Sequence, residues 1–203
     1  MSNLIVQMQA SIDGFVDSEV AGSSWQQWDW GPESPWSQDL LEAFNSTIDA
    51  VAGILLSRPM VQGGYLDHWR AVAEQTRGDE GYRFAARVLE VPKFVVTSDD
   101  APGSWPRTTV LDTRGGLTGA VGTARDLAGG DLLCFGGAGL ANGLLSADVV
   151  DEVQLYVNPG VAGAGHRIFD PSMVGRAWQL AGAQAHDCGI IVCRWRRQDR
   201  AHE

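Results

Sequence analysis

The sequence predicts a single α/β domain: a mixed, mostly parallel sheet flanked by helices, with an antiparallel edge at its C-terminal end. Three observations lead there. Short apolar runs of strand length alternate with segments of helical period. Glycine turns such as Gly129-Gly130 and Gly136-Gly137 punctuate the alternation. The last two strand-like runs follow each other with no helical segment between them, as an antiparallel pair requires. With 203 residues, no internal repeat and no linker-like tract, residues 1–203 form one domain.

Taken in order, residues 4–8 are a first strand that ends in the turn former Ser11-Ile12-Asp13-Gly14. Residues 14–37 are loop and contain Trp25, Trp28, Trp30 and Trp36. Ser37 is a good N-cap, and Leu40, Leu41, Phe44 and Ile48 behind it have helical spacing. Residues 50–56 are a continuous apolar run, fit for a buried strand, and Pro59 stops its ladder. A helix is predicted over 82–89, with Phe84 and Val88 on one face and Pro92 past its end. Strands follow at 93–98 and 108–111, then a helix at 120–127 before Gly129-Gly130. A strand at 131–135, a short helix at 139–146 and a strand at 152–158 come next. Residues 178–181 and 190–195 close the chain as two β segments.

Composition excludes several classes of function. Lys and Arg total 15 against 25 Asp and Glu, a formal charge of −10, so the surface repels nucleic acid and anionic membrane. No apolar run approaches membrane-spanning length, and the first residues lack the pattern of a signal peptide. Cys134, Cys188 and Cys193 lie in apolar segments without a Cys-x-x-Cys pair, which suggests reduced thiols in a cytoplasmic protein. The four histidines form no ligand pair with a carboxylate, so no metal site is expected.

The stretch 135–140, Phe135-Gly136-Gly137-Ala138-Gly139-Leu140, turns a strand directly into a helix. Unpaired amides and the dipole at a helix N-terminus attract phosphate, and glycine lets the anion come close. The spacing is neither the Rossmann fingerprint nor a P-loop, so these residues alone leave two readings open: a phosphate cradle, or a turn in which glycine only relieves crowding. Other predicted strand ends add Arg58, Thr97 and Ser98, which suit a second phosphate.

The order of LIVQMQASIDGFVD, AVAGILLSRPMVQGGYLDHW, VPKFVVTS and GGDLLCFGGAGLANGLLSADVVDEVQLYVNPGVAGAGHRIFD resembles the dihydrofolate-reductase-like superfamily. It most resembles the branch containing the C-terminal reductase domain of riboflavin biosynthesis and its stand-alone bacterial relatives. The resemblance implies an NADPH-dependent oxidoreductase that acts on a small molecule and works as a homodimer. It implies that Phe135, Gly136, Gly137, Ala138, Gly139 and Leu140 cover the cofactor diphosphate. Arg58 would sit near the adenosine phosphates, Thr97 and Ser98 at the 2′-phosphate, and Ala10 and Ser11 beside the nicotinamide. Ser57-Arg58-Pro59-Met60 departs from the usual Gly-Arg-basic-Thr, which leaves NADH possible. For the proton, the resemblance offers Glu42 on the first helix and Asp13 near the nicotinamide.

Tryptophans in the 14–37 loop could stack on a flat acceptor. Trp30 is the leading candidate, since related proteins tend to carry an aromatic there, with Tyr65 and Trp69 behind it. The expected substrate is a pterin-, flavin- or pyrimidine-like heterocycle, or a carbonyl or imine. No zinc-deaminase signature is present in these residues, so a reductase without the deaminase is expected rather than the bifunctional riboflavin enzyme. Residues 14–37 hold no Lys or Arg, which argues against a ribityl-phosphate substrate. The competing readings are a nucleotide- or flavin-binding module without turnover, and a structural homodimer whose glycine turn only packs.

Overall fold

The computed structural model describes residues 2–27, 35–99 and 105–198. The strands are β1 (Leu4–Ser11), β2 (Gly53–Ser57), β3 (Lys93–Thr97), β4 (Thr108–Asp112), β5 (Leu132–Cys134), β6 (Glu152–Asn158), β7 (Trp178–Ala185) and β8 (Ile191–Arg197). The helices are α1 (Gln38–Ala50), α2 (Arg58–Gln62), α3 (Tyr65–Gln75), α4 (Arg83–Glu90), α5 (Leu117–Ala128) and α6 (Ala138–Ser146). One sheet contains all eight strands in the order β4-β3-β2-β5-β1-β6-β8-β7. Six are parallel, and β8 and β7 add the antiparallel edge.

The chain runs outward from β1 to β2, β3 and β4, then returns through β5 to β6. Right-handed crossovers in opposite directions put their helices on opposite faces. Accordingly, α1, α3 and α4 cover one face through Phe44, Ile48, Trp69, Phe84 and Val88, packed on Ile54, Leu56, Val95 and Leu133. Helices α5 and α6 cover the other through Val121, Ala124, Ala141 and Leu144, packed on Leu4, Val6, Leu55 and Leu132. The direction reverses around β1 and β5, and open α/β sheets bind ligands at the carboxyl ends of strands at such a point.

Several elements differ from the sequence pattern. Strand β1 runs on to Ser11 because Gln9, Ala10 and Ser11 continue the parallel ladder with Tyr156, Val157 and Asn158. Residues 58–75, to which the pattern assigns no element, fold as α2 and α3. Pro59 blocks a strand but fits the first turn of a helix, where no N–H is needed. Gly64, at φ +93°, then separates the two helices. Helix α5 starts at Leu117, capped by Gly116, three residues before its predicted start. Among the described residues, no helix is long and apolar enough to cross a membrane.

Lys93 is 2% exposed at the start of β3, where its Nζ donates to the carbonyls of Val88, Leu89 and Val91 at 2.6–2.8 Å. It closes the C-terminal end of α4, whose last carbonyls otherwise have no donors. Burial pushes the ammonium down to about 8. Lys93→Met keeps the apolar stem and strands those carbonyls, and should lower stability by about 1–3 kcal/mol in chemical denaturation. Because the folded pKa lies below the unfolded one, the wild type should gain stability from this group as pH rises from about 8 toward 10.5. The variant should lack that rise.

Candidate active site

The carboxyl ends of β1, β2, β3 and β5 open onto two adjoining spaces separated by the first turn of α6. The inner one is a cavity of about 270 Å³ with a mostly apolar wall. Phe44, Met60, Tyr65, Trp69, Phe135 and Tyr156 line it, together with Gln7, Gln9 and Asp17. The outer one is an open hollow of about 810 Å³ where Arg58, Thr97, Ser98 and Asp99 face Gly116, Leu117, Gly139 and Leu140.

The turn between β5 and α6 sets this division. Gly136 takes φ +89°, and a Cβ there would fall 2.1 Å from Met8 Sδ. Gly137, at φ +50°, is the N-cap of α6 and borders the cavity, while Gly139 borders the hollow with open space where its Cβ would be. No side chain caps α6, and the first amide of its ladder is Ala141 N–H to the Gly137 carbonyl at 3.1 Å. The amides of Ala138, Gly139 and Leu140 have no acceptor among the described residues. Gly116, which also lacks a side-chain cap, brings the N-terminus of α5 to the same hollow. Two helix dipoles therefore point their positive ends into it.

Of the residues expected to hold a cofactor, Arg58, Thr97, Ser98, Gly139 and Leu140 share the hollow. Arg58 is ion-paired with Asp99, and Thr97 Oγ1 accepts from Asp99 N–H at 3.1 Å. Phe135, Gly137 and Ala138 line the cavity. Gly136 lies on Met8. Ala10 and Ser11 border neither space. Ala10 is buried in the sheet, and Ser11 Oγ accepts from Phe15 N–H at 3.0 Å to close the turn after β1.

Of the residues expected to contact a substrate, Tyr65 and Trp69 line the cavity, with ring centroids 6.0 Å apart. Burial pushes the Tyr65 phenol far above its ordinary range, so it acts there as a neutral group. Trp30 and Trp28 lie outside the described residues. Of the described loop tryptophans, Trp36 reaches the cavity, stacked 5.7 Å from Tyr156 at 16°, with its indole N–H donating to the Gln27 carbonyl at 2.7 Å. Cys134 is fully buried in β5, and burial pushes its thiol up to about 12, as suits a packing residue.

The two expected acids need correction, because neither borders the cavity. Glu42 sits on the exposed side of α1 and accepts from Gln38 Nε2 at 3.1 Å. Asp13 turns away into the 159–167 loop, accepting from Ala162 N–H at 3.0 Å and Gly163 N–H at 2.9 Å. The Ser11 hydroxyl and these amides hold its carboxyl down at about 2, which keeps it ionised and unfit to supply a proton. The carboxylate that does border the cavity is Asp17, which pairs with His166 Nδ1 at 2.7 Å. Asp17, Gln7, Gln9, Phe44, Met60 and Tyr156 were not singled out from the sequence as pocket residues. Only the period-2 placement of Gln7 and Gln9 on β1 could have pointed to any of them.

The family model of the RibD C-terminal domain matches residues 2–192. The chain belongs to this family. Membership in the RibD C-terminal family indicates an oxidoreductase. No curated protein sequence matches the chain.

Solved structures share the fold at low identity. A protein assigned to riboflavin biosynthesis from Shewanella sp. PV-4 aligns at TM-score 0.66 and 16% identity, over 97% of this chain and 99% of that one. The deaminase/reductase of Thermotoga maritima aligns at TM-score 0.61 and 15% identity, over 97% of this chain and 57% of its own. Dihydrofolate reductase from Enterococcus faecalis, complexed with NADP(H), aligns at 0.53 and 13%, over 97% of both chains. The architecture is thus dihydrofolate-reductase-like.

The caging of Asp13 has a pH signature. Its folded pKa is depressed, so its contribution is present above about 4 and lost as pH falls toward about 2. Asp13→Asn should be less stable than wild type at neutral pH, and the difference should close across that acid window in denaturation curves taken at stepped pH.

Proposed function

We propose that the chain is a reductase that uses NADPH, or NADH, to reduce a small planar heterocycle of the pterin, flavin or pyrimidine kind, or a related carbonyl or imine. The observation that carries this reading is the position of α6. Its uncapped N-terminus stands between an aromatic cavity of single-ring to double-ring size and an open hollow with hydroxyls and an arginine. A dinucleotide needs that sequence of environments: a dry slot for the reactive ring, free amides for the diphosphate, and polar groups for the adenosine end.

The residues present fit such a group. Ala138, Gly139 and Leu140 would offer amides to the diphosphate, and Gly139 leaves open the space a side chain would fill. Arg58, Thr97 and Ser98 would hold the adenosine end. The dihydronicotinamide would supply hydride. Phe44, Phe135, Tyr65 and Trp69 keep water out of the cavity and hold flat rings parallel to its walls. Riboflavin-pathway reductases are the family's reference, and family membership supports a reductase of that kind. We also propose a homodimer. The exposed β7–β8 edge, with Leu180 at 58% and Ile191 at 43% exposure, supports a second copy there.

Gly139→Asp separates binding from folding. A carboxylate in the first turn should stabilise α6 by roughly 0.3–1 kcal/mol through the helix dipole. The same charge would meet the diphosphate, so NADPH quenching of tryptophan fluorescence should weaken by about tenfold or more while the melting temperature holds or rises. Unchanged NADPH binding would remove α6 from the cofactor site. No NADPH binding by the wild type would end the reductase reading.

A further inference from the structure

The sheet face that looks onto the cavity carries a chain of buried amides. Parallel register sets Gln7 of β1 beside Gln154 of β6, and Gln9 beside Tyr156. Gln7 and Gln154 are each 5% exposed, and an amide left unpaired at such depth is costly. Each amide must therefore turn its oxygen and its NH2 toward matching partners, and for Gln7 and Gln154 one end of the chain decides.

That end is Glu152. Its carboxylate receives Arg196 Nε at 3.1 Å and can only accept. Gln154 accordingly turns its Nε2 toward Glu152, at 2.8 Å, which leaves its oxygen facing β1. Gln7 answers with its own Nε2, donating to Gln154 Oε1 at 3.1 Å and to Tyr156 Oη at 3.0 Å. Both Gln7 N–H groups are then engaged. Its Oε1 has no donor among the described residues, its side-chain bonds both running through Nε2, and Gln7 lines the cavity.

Gln9 is fixed the opposite way by a separate anchor. Asn158 Oδ1 accepts Gln27 N–H at 2.8 Å, so its Nδ2 faces Gln9 Oε1, at 2.6 Å. The Gln9 NH2 has no acceptor among the described residues, and Gln9 lines the cavity.

We infer that Gln7 is a specificity-determining residue of this cavity. Its carbonyl oxygen, turned inward by Glu152 acting through Gln154, selects a ligand ring that brings an N–H donor to it. The inference rests on the cavity being the acceptor pocket proposed above. Gln9 supplies a donor on the same wall, so a ring with N–H and C=O on one edge satisfies both. A ring of the same skeleton with its nitrogens alkylated would set a methyl group against the Gln7 oxygen and leave it unpaired. Sites built to hydrogen-bond a ligand discriminate most strongly against such analogues. Glu152 lines a separate groove beyond the cavity wall and is a positioning residue.

Lumazine and 1,3-dimethyllumazine are suitable probes, being flat, bicyclic and different only at the N–H groups. Tryptophan quenching should show lumazine binding about tenfold or more tighter than its dimethyl form. Gln7→Leu should bring lumazine to the level of the dimethyl compound. Glu152→Gln keeps the side-chain shape but lets the amide chain reverse, and should cut the preference to less than about threefold.

A ligand-free readout guards against a variant that misfolds. In 15N spectra of the wild type, the Gln7 side-chain protons should exchange slowly with solvent, and faster in Glu152→Gln. The inference is overturned by equal affinity for the two probes, by no lumazine binding to folded protein, by rapid exchange at Gln7, or by an unaltered preference in Glu152→Gln. NADPH titration, read through the α6 turn, judges the reductase reading separately.

Discussion

The contact between Gly136 and the Met8 thioether fixes everything above the sheet. Strands β1 and β5 are parallel neighbours, with Val6 beside Cys134, so the chain leaving β5 passes directly over the next residue of β1 on that face. Only a residue without Cβ, at φ +89°, can make the turn there. The turn consequently lies flat on β1, and α6 begins at the level of the strand ends. A bulkier residue would lift the helix and carry its free amides away from both spaces. The ligand geometry proposed here follows from that close approach more than from any charged side chain.

The electrostatics point the same way. A chain with a formal charge of −10 would still have to receive the anionic cofactor proposed for it. Around the site, polar side chains are largely matched with one another: Arg58 with Asp99, Asp17 with His166, and Asp39 with His186. Asp13 is held by amides instead. What remains for an anion is fixed polarity, namely two glycine-capped helix N-termini converging on one hollow. Backbone dipoles need no side-chain ordering on binding, and they are oriented before the ligand arrives.

Most of the fold was legible because its signals are local. Apolar runs marked the strands, and the glycine turn declared the most crowded point of the chain. The residues that share the outer hollow could be grouped for the same reason, since Arg58, Thr97, Ser98 and Gly139 each follow a recognisable strand end. The misses have physical causes. Pro59 forbids a strand and permits a helix start with equal force, so α2 and α3 were hidden behind it. Asp13 reads as a turn former or an acid, and only the distant Ala162 and Gly163 amides decide between them. Gln7 and Gln9 alternate with apolar residues in LIVQMQAS, the pattern of a strand with one wet face. That face is covered by α1 and Trp36, a tertiary fact no local window contains.

This last point bears on why a cavity otherwise walled by aromatics keeps its amides at all. A buried amide chain is unfavourable unless every member is satisfied, and an apolar replacement would pack as well. Here each member is satisfied except at the cavity, and the two loose ends there have opposite polarity. Register makes this possible: Gln7 meets Gln154 and Ser11 meets Asn158 in the same ladder. A slip of one residue would turn the whole set to the other face. The pairing of β1 with β6 therefore does two jobs at once, holding the centre of the sheet and presenting an ordered donor and acceptor to whatever ring enters. An apolar wall could exclude water equally well, but it could not tell one edge of a heterocycle from another.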